Sequence, residues 1–165
     1  MDPGLVEAFP WMPNRISGKM EDSMEDRFNL QRFVEEQQND YTTAYFELSK
    51  GRKRSHWMWW IFPQIIGLGM TATSQMYAIK SLEEAKAFLD HPYLGKNLRE
   101  ISEILLHLDS SNASAIFGYP DDLKLRSSMT LFAEADPHEE VFRKVLDKFF
   151  GGAKDERTVE ILKTL

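Results

Sequence analysis

Four cations, a histidine and three tryptophans fall within eleven residues: Lys50, Arg52, Lys53, Arg54, His56, Trp57, Trp59 and Trp60. Arginine offers planar, bidentate donors and lysine a mobile point charge, so the run could hold a phosphate or carboxylate. Indoles stack on flat rings, and an imidazole titrating near 6.5 can move a proton. Ser55 and Gln64 add polar groups at either end. An anion-attracting corner beside an aromatic wall would suit a phosphate-bearing aromatic ligand. A second polar set lies downstream: Asp121, Asp122, Lys124, Arg126, Ser127 and Ser128. Asp122 and Arg126 stand four apart, close enough to pair on a helix.

Each group also has a plain structural explanation. Cations after a helix C-terminus answer the macrodipole. Tryptophans bury large apolar areas and belong in cores. On a helix Trp57 and Trp60 would share a face, and on a strand Trp57 and Trp59 would, so one of the three is expected at a surface or cleft. Asp121 or Asp122 can cap a helix, while Ser127 and Ser128 either let helices approach closely or line a cavity.

Several chemistries lack their residues. The chain has no cysteine, which removes disulfides, thiolate nucleophiles and Cys-ligated zinc. Neither a His-x-x-x-His zinc motif nor a Gly-x-Ser-x-Gly elbow occurs, so no metal, no cofactor and no serine hydrolase is expected. A net charge of −6 argues against general nucleic-acid binding. No apolar run reaches the ~20 residues that span a bilayer, and Asp2 and Glu7 stand where a signal peptide would be basic. No membrane association, a cytoplasmic location and a monomer are therefore expected.

The elements that would position these groups are helical. Residues 1–27 hold Pro3, Pro10, Pro13 and a closing acidic run, and predict a flexible tail. Phe9, Trp11 and Met12 could instead fold back on the domain. Asn29 is the expected N-cap of a helix carrying Phe33, Gln37, Tyr41, Ala44 and Leu48, stopped by Gly51. Residues 57–65 predict a short helix or a buried extended segment, and 66–70 a loop. Ser81 and Glu84 form a capping box, and His91-Pro92 ends that helix. Leu94, Leu98, Ile101, Leu105 and Leu108 make the next apolar stripe. Further helices are expected after Asn112, from Asp121 or Asp122 through Phe132, after Asp136-Pro137 as cap and first residue, and over 155–162. No alternating strand pattern competes. The expected fold is all-α: one domain over residues 28–165, of six to eight short helices.

Three strings carry a family resemblance: Arg52-Lys53-Arg54-Ser55-His56-Trp57-Met58-Trp59 with Ile61-Phe62-Pro63-Gln64; Gly67-Leu68-Gly69 with Tyr77-Ala78-Ile79; and the run from Asp121 to Phe132. Together they resemble the family catalogued as domain of unknown function 1810, over about residues 29–162. The resemblance implies a compact helical domain and no particular activity. Separately, the string from Phe142 to Phe149 is similar to a helix of NADAR domains, which act on N-glycosidic bonds in nucleotide and ADP-ribose derivatives. Val145 replaces the alanine of that pattern.

The expectation is one pocket where the segment 52–64 meets the helix carrying residues 122–128, taking a small anionic or nucleotide-like molecule. Arg52, Arg54, Ser55, Gln64, Gln75, Tyr77, Lys124, Arg126, Ser127 and Ser128 are its candidate binding residues, with Trp57 or Trp59 stacking on a ring. His56 and Asp122 are the candidates for proton transfer in an N-glycosidic hydrolysis. The alternative is a non-catalytic adaptor that uses a helical surface, or the acidic tail, to bind another protein.

Overall fold

A computed structural model describes residues 26–165. The expected flexible tail therefore lies outside the described residues, except for Asp26 and Arg27. Six helices of nine residues or more carry the fold: α1 (Gln31–Ser49), α4 (Leu82–Asp90), α5 (Leu94–His107), α7 (Asp121–Ala135), α8 (Glu140–Phe150) and α9 (Glu156–Thr164). Three short segments complete it: α2 (Met58–Ile61), α3 (Ala72–Met76) and α6 (Ala113–Phe117). No strand occurs among the described residues, only an isolated parallel bridge between Ile65 and Ile79. The chain is all-α.

Helices α5 and α7 form the centre. Both α4 and α8 pack on the two of them, α1 lies against α5 and α2, and α6 and α9 lie against α7. The core between them is aromatic: Phe33 meets Phe88 edge-on at 5.2 Å, Phe88 meets Phe132 at 5.3 Å, and Phe132 meets Phe142 at 5.9 Å. Val145 and Leu146 share this core with Phe142. Amphipathic packing thus accounts for the string that is similar to NADAR domains.

Three expected caps are corrected: neither Asp121 nor Asp122 caps α7, whose N-cap is Pro120 with both aspartates in the first turn. Asn29 does not cap α1; it takes a left-handed conformation, φ 55°, which asparagine tolerates. The carboxylate of Asp26 caps instead, accepting from the N–H groups of Leu30 and Gln31. Asp136 ends α7 rather than starting α8, which begins at Glu140. Pro137 sits in the turn between them, where its missing N–H costs nothing. Ser81 and Asn112 cap as expected, each accepting the N–H three residues on, and Asp155, at the start of the last expected helix, does the same for α9. Gly151, left-handed at φ 61°, stops α8.

A buried arginine fixes the start of α1 to the rest. All five N–H donors of Arg32 are used, by the carbonyls of Phe28, Asn29, Met76 and Ala78 and by Glu84 Oε2 at 2.7 Å. Glu84 Oε1 accepts the N–H of Lys80 in turn. One ion pair, almost out of solvent, so joins α1, α4 and the loop between α3 and α4.

Candidate functional site

The basic segment after α1 is irregular, with a bend at Ser55 and His56, and the exposure of its side chains alternates. Arg52, Arg54 and His56 point to solvent, whereas Lys53, Ser55 and Trp57 turn inward. Glu47, a buried residue on the last turn of α1, organises the inward set. It accepts from the N–H of Arg54 at 2.8 Å, the N–H of Ser55 at 3.0 Å, the Ser55 hydroxyl, and the Trp57 indole N–H at 2.9 Å. Burial pushes its carboxyl up, but these four donors outweigh it and hold the pKa at about 2. Ser55 and Trp57 are therefore tied to a carboxylate, and Trp57 is a core residue at 1% exposure.

The two polar constellations do meet, through residues other than those expected. Lys53 Nζ pairs with Asp121 Oδ2 at 2.9 Å and lies 4.9 Å from the Trp57 ring centre. Asp121 Oδ1 pairs with Lys124 at 3.1 Å, and Lys124 Nζ sits 4.0 Å over the Trp59 indole. The chain Lys53–Asp121–Lys124–Trp59 thus crosses from the basic loop to α7 and back to α2.

Trp59 is half-buried and forms one wall of a cleft. Gln64, Gln75, Tyr77, Ser74 and the loop 65–69 form the remainder, around about 280 Å3 of empty space that runs out into solvent. The parallel bridge shapes this loop. Ile79 N donates to Gln64 O and Ile66 N donates to Ile79 O, both at 2.8 Å, so residues 66–78 leave and return at one point. The turn is tight: a β-carbon on Gly69 would stand 2.6 Å from the Ser74 side chain. At the back, Tyr77 packs edge-on against Trp60 at 5.1 Å and donates its hydroxyl to Glu36 Oε2 at 2.9 Å. Burial first, then the Glu36 hydrogen bond and charge, raise the Tyr77 phenol above its usual range. It stays a neutral donor. Trp60 donates its indole N–H to Asp40, one turn along α1 from Glu36.

Four expected residues, Trp59, Gln64, Gln75 and Tyr77, therefore line one cleft, and Lys124 stands over its indole wall. The others are placed elsewhere. Arg52, Arg54 and His56 are exposed and not among the lining residues. Asp122 turns back to accept the N–H of Leu123. Arg126 donates to the carbonyls of Ala153 and Lys154, joining α7 to the turn before α9. Ser127 donates to Leu123 O one turn back, and the Ser128 hydroxyl is buried without a partner among the described residues. Both serines sit in the helix–helix packing of α7. Sequence reasoning missed Glu36, Glu47 and Asp121 as the acids that orient these groups. Among the described residues no three His, Asp or Glu side chains gather in a way that could hold a metal ion. No described helix is long and apolar enough to cross a membrane.

A family model described as "Protein of unknown function (DUF1810)" matches residues 27–162. The crystal structure of the conserved hypothetical protein Rv1873 from Mycobacterium tuberculosis is similar in sequence and fold. The identity is 47% and the TM-score 0.82, over 84% of this chain and 99% of that one. No curated protein matches the chain.

Proposed function

The chain belongs to the DUF1810 family, and we propose that it binds a small, planar, anionic molecule of nucleotide or ADP-ribose type in the Trp59–Tyr77 cleft. One observation carries this. A lysine ammonium stands 4.0 Å over the half-exposed indole that walls a cleft whose other polar groups come from separate segments. Gln64 and Gln75 can each donate and accept, which suits the mixed edge of a base. Lys124 supplies the cation for a phosphate, and Trp59 the stacking surface. The enclosed part of the cleft is about 10 Å3, far below ligand pockets of ~300–1,000 Å3, so the ring would lie across the mouth against Trp59 and the phosphate-bearing part stay in water. His56 and Asp122 do not line it. If N-glycosidic hydrolysis accompanies binding, Glu36 is the better placed acid, one hydrogen bond behind Tyr77. A cytoplasmic monomer goes with this proposal.

The adaptor alternative has its own observation. Tyr119 and Leu123, four residues apart at the start of α7, are 79% and 45% exposed, which would suit a protein partner.

Thermal unfolding of the chain with AMP, ADP-ribose, adenosine and ribose 5-phosphate tests the binding proposal. A ligand at a hundredfold its Kd adds roughly 2.7 kcal/mol to stability. The expected result is a raised Tm with the first two compounds, reduced in Lys124→Ala and Gln75→Ala. No shift at millimolar concentration, or a shift that both variants keep, overturns it.

A further inference from the structure

We propose that Arg52 and Arg54, on the outward side of the basic segment, bind an acidic, extended stretch of a partner protein. Neither arginine lines the cleft, so this does not rest on the ligand proposed there. It gives the adaptor alternative a surface and a partner chemistry.

Every other described arginine spends its guanidinium within the chain. Arg27, Arg32, Arg99 and Arg143 pair with glutamates, and Arg126 and Arg157 donate to backbone carbonyls. Arg52 and Arg54 are exposed and hold no ion pair or side-chain hydrogen bond among the described residues. Counter-charge is plentiful in a chain with 26 acidic residues against 20 lysines and arginines, yet none of it is placed on these two.

The backbone beneath them is held. The N–H groups of Arg52, Lys53, Arg54 and Ser55 all turn into the domain, to Glu47 O, to Ile116 O and to the Glu47 carboxylate. A partner therefore meets arginines whose backbone is already ordered, which lowers the cost of binding. It finds no N–H along 52–55 to pair with as an added strand, so recognition falls to the side chains. Arg52 and Arg54 are two residues apart, at most about 7 Å along the chain. Alternate side chains of an extended peptide repeat at roughly 6.6–6.8 Å. Two carboxylates separated by one residue can thus each take one guanidinium in bidentate fashion.

The neighbouring surface is apolar. Lys53 N donates to Ile116 O at 2.8 Å, and exposed Tyr119 stands three residues past that carbonyl, a reach of at most about 11 Å. Exposed Leu123 follows one turn later. A peptide can set acids over the arginines and an apolar side chain over Tyr119. The phosphates of a nucleic acid repeat without a break and would run on over a chain of net charge −6.

Fluorescence anisotropy with a labelled peptide of glutamate alternating with leucine and tyrosine tests this on the full chain. The native chain should bind it, and Arg52→Glu/Arg54→Glu should weaken binding at least about tenfold, because like charges then face each other. Arg27→Glu/Arg143→Glu makes the same change in net charge at other exposed arginines and should leave the affinity within about twofold. No binding at millimolar peptide overturns the proposal, as does an equal loss in both double variants. Tighter binding of a single-stranded oligonucleotide of matched length, lost in Arg52→Glu/Arg54→Glu, also overturns it, because the pair is then a phosphate site. If Tyr119→Ser/Leu123→Ser abolishes peptide binding and Arg52→Glu/Arg54→Glu keeps it, this proposal falls while the adaptor reading stands.

Discussion

The Glu47 carboxylate receives the indole N–H of Trp57 at 2.9 Å, so the tryptophan run is fastened to the end of the helix that precedes the basic loop. That one side chain turns a string of cations and aromatics into an ordered strap. Its inward half is structural and its outward half is exposed.

Glu47→Gln should therefore loosen the strap. A neutral amide presents an N–H pair to a site that offers donors, and hydrogen bonds to a charged group are worth about 1.5–3 kcal/mol each. A loss of about 2–4 kcal/mol is expected from urea unfolding at pH 7. The pH dependence has a definite sign. The folded pKa of about 2 lies below the ordinary 4.5, so the contribution is complete above pH 4.5 and fades as pH falls toward 2. His91 adds an earlier limb. Burial, partly opposed by Asp26, lowers its pKa below 6.5, so its contribution weakens as pH drops below that value. In Glu47→Gln the acid limb should vanish and the His91 limb remain; an unchanged acid limb would refute the assignment.

Two arginines should behave as opposites. Arg32→Met breaks all five hydrogen bonds of that guanidinium and strands Glu84, and breaking a buried pair costs about 3–5 kcal/mol. Arg54→Ala removes an exposed side chain whose backbone alone is held, and should stay within about 0.5 kcal/mol. His56→Ala belongs with Arg54→Ala. Denaturant midpoints for the three variants decide the matter.

Gly95→Ala is expected to harm the fold even though alanine is the better helix former. The propensity gain is at most about 1 kcal/mol. Against it, a β-carbon at Gly95 would fall 1.9 Å from the carbonyl oxygen of Leu89, which also accepts from Arg99 Nη1 at 3.1 Å. Forcing those backbones apart costs about 3 kcal/mol. A lowered Tm is the expected reading, and an unchanged one would show that α4 and α5 can separate freely.

The helices were legible because their signals are local. Ser81 with Glu84 and Asn112 cap what they were expected to cap. Where a cap came from outside the expected position, as with Asp26 ahead of Asn29, local spacing misled. In the cleft, Trp59, Gln64, Gln75 and Tyr77 were named from sequence and do lie together. Glu36 behind Tyr77 and Glu47 under the strap were not, and Asp121 was named only in a polar set or as a cap, because all three find their partners only after α1, the strap and α7 have packed. One signal was available and unused. A two-residue period, as in a strand, separates exposed Arg52, Arg54 and His56 from Lys53, Ser55 and Trp57. Grouping all the cations as a single charge cluster hid that division.

The bridge between Ile65 and Ile79 gives the cleft loop a neck. Both isoleucines are buried, while most of what hangs beyond them is surface. Substitutions at exposed Met70, Ala72, Thr73, Gln75 and Met76 can accordingly accumulate at little cost to folding, whereas Gly67, Gly69 and buried Ser74 hold the turn that presents them.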